Sequence, residues 1–125
     1  MNDKIFQEVF DIIYPVLPAY WKKMVLYVAY TDGSYSMKFY TMDEKNIYTD
    51  CFKQKNADRM QLIRIFTNID KVLSVGRKQL ENANKWTVMT MIVDNNGDMK
   101  TEFDYTDINE NAILYEQEWK EKYIK

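Results

Sequence analysis

Glu102 and Asp104, two residues apart in segment 99–105, are the pair whose type and spacing could carry catalysis. On a strand, residues i and i+2 share one face with side chains about 7 Å apart. Two carboxyl groups at that separation can act on a glycosidic bond. A solvated strand face accounts for the same letters and is the preferred reading. The run Asp94-Asn95-Asn96-Gly97-Asp98 resembles a calcium loop in composition. It lacks the Asp-x-Asp/Asn-x-Asp/Asn-Gly phase and the closing glutamate, so a tight turn needing positive φ explains it better. Cys51 is the single cysteine. With no certain basic neighbour to activate it, it reads as a packed or half-exposed thiol. The chain has no histidine, which removes Ser-His-Asp and Cys-His nucleophiles, imidazole bases and His-containing metal sites. A lone cysteine also removes thiolate zinc sites and internal disulfides. No catalytic residue, cofactor or metal ligand is therefore assigned.

These side chains need elements to hold them. Ile5, Phe6, Val9, Phe10, Ile12, Ile13, Val16 and Leu17 recur at helical spacing, predicting a helix over 3–17. Asn2 or Asp3 can cap its start, and Pro15 and Pro18 fix its stop. Residues 21–30 form a near-continuous apolar run closed by Asp32-Gly33, a hairpin signal. Placing those two at the turn centre pairs Tyr30 with Tyr35, Val28 with Met37 and Leu26 with Phe39. Met24, Leu26, Val28, Tyr30, Tyr35, Met37 and Phe39 then share one face, buried beneath a helix, with Ser36, Lys38 and Tyr40 on the other. Residues 46–52 are a weaker third strand at an edge. Helical period returns over 57–82 through Met60, Ile63, Phe66, Ile69, Leu73 and Leu80, with Arg59, Arg64, Lys71, Arg77 and Lys78 on the polar side.

A second hairpin joins 86–93 to 99–105. The first of these strands is apolar on both faces, as a central strand covered on both sides would be, and the second alternates. Ile108, Ala112, Tyr115, Trp119 and Tyr123 make a closing helical stripe. The order α-β-β-β-α-β-β-α predicts one α+β domain over 1–125, an antiparallel sheet of about five strands with helices packed on it.

The chain has 125 residues and a net charge of −2, which argues against whole-surface nucleic-acid binding. Residues 53–85 carry eight basic and three acidic groups, whereas residues 86–125 carry four basic and nine acidic, a balance of −5. The basic helix could serve a regulatory or nucleic-acid adaptor through Arg59, Arg64, Lys71 and Lys78. Its aromatics point inward, however, so it lacks the stacking platform of single-strand binders, and no direct nucleic-acid contact is expected. No apolar run approaches the ~18 residues that span a bilayer. The first residues are acidic where a signal peptide needs a basic region, so no membrane contact and a cytoplasmic location are expected. Of the ten tyrosines, Tyr27, Tyr40 and Tyr48 fall off the assigned core faces, as partner-recognising tyrosines would.

Pro18-Ala19-Tyr20-Trp21 followed by the apolar strand and Gly-turn hairpin is similar to the opening of YezG-like antitoxin (immunity) proteins. Trp86, the next apolar strand, the turn at Gly97, Phe103-Asp104-Tyr105-Thr106-Asp107 and the closing Trp119-x-x-x-Tyr123 extend the resemblance across residues 3–124. The resemblance implies a cytoplasmic immunity protein that silences the C-terminal domain, often a nuclease, of a polymorphic toxin exported by a type VII system. A phosphate-attracting cleft calls for an acidic complement. Asp94, Asp98, Glu102, Asp104, Asp107 and Tyr40 are thus the candidate partner-binding residues.

Overall fold

Gly33 adopts φ +80° at the turn between β1 (Lys23–Thr31) and β2 (Ser34–Met42). A side chain there would strain the backbone, so the Asp32-Gly33 dipeptide sets where the chain reverses. In this computed structural model, which describes residues 3–125, Tyr30 pairs with Tyr35, Val28 with Met37 and Leu26 with Phe39, as the turn predicts. The third strand is shorter than expected, β3 (Tyr48–Asp50). It ends because the Asp50 carboxylate accepts the Phe52 amide and starts a 3-10 turn over Cys51–Lys53. Cys51 is thus in that turn rather than a strand. It is 2% exposed, and burial pushes its thiol up to about 12, far from a thiolate near neutrality.

β4 (Val88–Asp94) and β5 (Met99–Asp104) form the second hairpin, with Gly97 at φ +98°. All pairings are antiparallel, and the strand order is β3-β2-β1-β4-β5. The three helices are α1 (Asp3–Ile13), α2 (Arg59–Lys78) and α3 (Ala112–Tyr123). The expected order of elements is the observed one. The Asn2 cap lies outside the described residues. α1 is shorter than 3–17 because Pro15 turns the chain into a 3-10 segment over Tyr14–Val16. The Asp58 side chain accepts the Met60 and Gln61 amides and starts α2.

The sheet separates two cores. Met24, Leu26, Val28, Phe39, Met89 and Met91 pack beneath α1 and α2. Val25, Tyr27, Ala29, Tyr40 and Val88 pack on the opposite face, against Ile108 and Trp119. This second core corrects two expectations: Tyr27 and Tyr40 are 1% and 3% exposed, because α3 covers the face on which they lie. On α2 the expected core positions hold at Phe66, Ile69 and Leu73 and fail at Met60 and Ile63. Leu62, Ile65, Phe66, Ile69 and Leu73 point inward, whereas Met60 and Ile63 are exposed. Arg77 leaves the polar side as well. Its guanidinium lies 4.8 Å from the Tyr30 ring centre and its Nε donates to the Trp86 carbonyl at 2.6 Å.

Candidate partner-binding face

Alternation along β5 decides which of its side chains meet α3. Met99 and Phe103 pack against the larger core, so Lys100, Glu102 and Asp104 must occupy the α3 side. Helix α3 sets Tyr115, Trp119 and Tyr123 at steps of four, one above another on a single helix face. Tyr115 Oη donates to Asp104 Oδ2 at 2.5 Å, and Tyr123 Oη donates to Glu102 Oε2 at 2.6 Å. Between them, Trp119 Nε1 donates to Thr90 Oγ1 at 2.8 Å. Helix and strand run in opposite senses, so the earlier tyrosine meets the later carboxylate.

These bonds set the electrostatics. The Tyr123 hydroxyl, aided by Lys100 at 3.5 Å, holds the Glu102 carboxyl below its usual range. Burial alone would raise Asp104, but donors from Tyr115 and Thr106 overcome it and keep that carboxyl low as well. Both tyrosines move the other way, chiefly through burial and then through their carboxylate partners, Tyr123 up to about 12. A carboxyl pair cleaving glycosides needs one member protonated near neutrality. Here both are stabilised as anions, which suits a fixed negative surface better than acid catalysis. A groove of about 330 Å³ lies alongside, lined by Glu102, Asp104, Tyr115, Glu118, Lys122 and Tyr123.

The remaining candidates are spread out. Asp98 is exposed at the hairpin end, its amide bound to Asn96 Oδ1. Asp94 is half-buried beside it, its own amide donating to the Asp98 carbonyl. Asp98 and Asp104 lie about 20 Å apart along the strand. Asp107 sits past the far end of β5, where its carboxylate accepts the Asn109 amide and does not cap α3. Glu102 and Asp104 are thus brought together with α3, Asp94 and Asp98 cluster at one end, and Asp107 stands apart. Tyr40 is enclosed by Trp119, at 6.0 Å between ring centres, and is inaccessible to a partner. Sequence reasoning missed Tyr115 and Tyr123 as carboxylate donors. Their four-residue helical spacing was visible, but not the strand it would meet.

On α2, Arg59, Arg64, Lys71 and Lys78 are exposed. Among the described residues no helix is long and apolar enough to cross a membrane. The family whose sequence model matches this chain is described as immunity protein YezG-like, and the match covers residues 2–125. No curated protein matches the chain.

Proposed function

The chain belongs to the YezG-like immunity protein family, and from that premise we propose that it acts in the cytoplasm as an antitoxin. Its partner in this reading is the C-terminal domain of a cognate toxin exported by a type VII system, and the silenced activity is that of a nuclease. The observation that carries the reading is the family match over residues 2–125. An inhibitor needs shape, buried anchors and a charge field opposite to its target's, and no chemistry of its own. A nuclease cleft must attract phosphates, so its field is positive and its complement acidic. The β5–α3 face offers that complement. Asp98 projects from one end, and Glu102 and Asp104 are ionised and fixed in place by Tyr123 and Tyr115.

The test is co-expression with the C-terminal domain encoded by the neighbouring toxin reading frame. Cells making that domain alone should stop growing, and cells making both should recover. The purified pair should form a stable complex in which nucleic-acid cleavage is suppressed. A domain that stays lethal and forms no complex would overturn the antitoxin reading. A neutralised domain with another activity would overturn only the nuclease assignment.

A further inference from the structure

The backbone of β5 has one side unused. The Asp94 amide bonds the Asp98 carbonyl, and on the other flank of β4 the Tyr30 amide bonds the Thr87 carbonyl. Both bonds fix the same phase: Thr90, Ile92 and Asp94 aim their peptide groups at β5, and Lys100 and Glu102 answer them. The N–H and C=O groups of Met99, Thr101 and Phe103 consequently face away from β4, and β5 is the last strand of the sheet. Natural edges are commonly blunted by proline, a bulge, short length or charged side chains, lysine above all. The opposite edge shows one of these devices, since β3 has three residues and its Asp50 is held by Lys38 at 3.1 Å. β5 has six residues and no proline, and its charged residues Lys100, Glu102 and Asp104 all stand on the α3 side, leaving the larger-core side of the edge apolar at Met99 and Phe103.

We propose that this edge is where the toxin docks, by laying an extended basic segment beside β5 as a sixth strand. The inference rests on the antitoxin reading above and deepens it by naming the partner's secondary structure and polarity. Partner residues opposite Met99, Thr101 and Phe103 would point toward the larger core, where the Met99 and Phe103 side chains are half-buried and apolar. Partner residues opposite Glu102 and Asp104 would point to the α3 side, beside the groove of about 330 Å³ and its two carboxylates. The segment that fits has lysine or arginine at two alternate positions and apolar residues between. Main-chain bonds would supply affinity and the alternate side chains specificity.

Every two-fold antiparallel register of a second copy opposes like charges somewhere. Centring on Thr101 sets Asp98 against Asp104 twice while Lys100 meets Glu102 twice. Centring on Glu102 sets glutamate against glutamate while Lys100 meets Asp104 twice, and centring on Lys100 sets lysine against lysine and Asp98 against Glu102. A foreign strand with basic residues opposite Glu102 and Asp104 makes opposite-charge pairs with no such conflict, and the experiment below separates the two occupants.

The experiment is residue-resolved amide exchange on the full chain, free and bound to the recombinant C-terminal domain of the neighbouring toxin reading frame, together with Thr101→Pro. Proline at 101 removes an amide that faces outward, so the pairing with β4 stays intact. The expected result is fast exchange at Met99, Thr101 and Phe103 in the free chain, slowed about 100-fold or more in the complex. Thr101→Pro should bind about tenfold or more weakly, with the parent's circular dichroism. A complex in which these three amides stay fast, and which Thr101→Pro forms as well as the parent, would overturn the edge inference and leave the antitoxin reading standing. Failure of the parent to form any complex would overturn both. Concentration-dependent protection in the free chain would assign the edge to a second copy and overturn the proposal. If Thr101→Pro does not fold, the exchange data on the parent decide alone.

Discussion

Replacing Tyr115 and Tyr123 together by phenylalanine tests whether α3 is held by its two phenol–carboxylate bonds. The rings remain, including the Tyr123 contact with Trp119 at 5.3 Å, so apolar packing is nearly conserved. The Oη donors to Asp104 and Glu102 are lost, together with the hydrogen bond between Thr90 and Tyr123 Oη. Hydrogen bonds to charged groups contribute about 1.5–3 kcal/mol each. Both carboxylates are partly open to water, which can replace part of what is lost, so the pair should cost about 2–3 kcal/mol near neutrality. For a domain of this size that is a fall in Tm of about 10 °C. The pH dependence carries the sharper signature. Both carboxyls are lowered in the folded state, so their stabilisation is complete above the unfolded carboxylate range of about 4. It is lost as pH falls through their lower folded values. Urea unfolding at pH 7, 5, 4 and 3 should show the parent losing stability below about pH 4.5, with the double variant losing less over the same range. A cost under ~0.5 kcal/mol at pH 7, with acid limbs that run parallel, would refute the reasoning.

Leu26 is wholly buried beneath α1 and α2. Leu26→Ala should cost about 2–5 kcal/mol in denaturant unfolding, the range for a filled core site. For toxin binding, the triple variant Asp98→Asn, Glu102→Gln, Asp104→Asn should associate more slowly and with a shallower salt dependence than the parent, because steering acts on the association rate. Stopped-flow association at low and moderate salt checks this, and unchanged rate and slope would mean that the acidic face is merely solvated.

The hairpin register was legible because two independent signals agree: Asp32-Gly33 places the turn, and alternation in β2 admits one facing. The burial of Tyr27 was legible too but went unread, whereas Tyr40 shares its side of β2 with Ser36 and Lys38 and is covered only because α3 lies there. Residues 24–30 are apolar at odd and even positions alike, the pattern that marked β4 as covered on both sides. On α2 the expected positions Phe66, Ile69 and Leu73 are inward, but in the first two turns Leu62 and Ile65 replace Met60 and Ile63, because two apolar stripes overlap there. Period alone cannot choose between two apolar stripes; the shape of the sheet beneath does. The carboxylate face was visible as a pair on β5, but its tyrosine donors lie 11 and 21 residues away in sequence. Their pairing depends on how α3 lies across the sheet, which no local pattern encodes.

The sheet also divides the molecule optically. Trp86 lies in the larger core, against Tyr30 and Phe103, and its Nε1–H finds no acceptor among the described residues. Trp119 lies in the smaller core and donates to Thr90. The larger layer thus carries Trp86, without a hydrogen bond at nitrogen, and the half-buried Trp21, whereas the smaller layer carries Trp119 alone, with one. Loosening of α3 alone would change the emission of Trp119 and leave that of Trp86 untouched. Fluorescence followed with Trp21→Phe as background, in Trp21→Phe/Trp86→Phe and Trp21→Phe/Trp119→Phe chains, can therefore time the two layers separately. It would reveal whether the tyrosine-held helix opens and closes as its own cooperative unit while the rest of the fold stays shut.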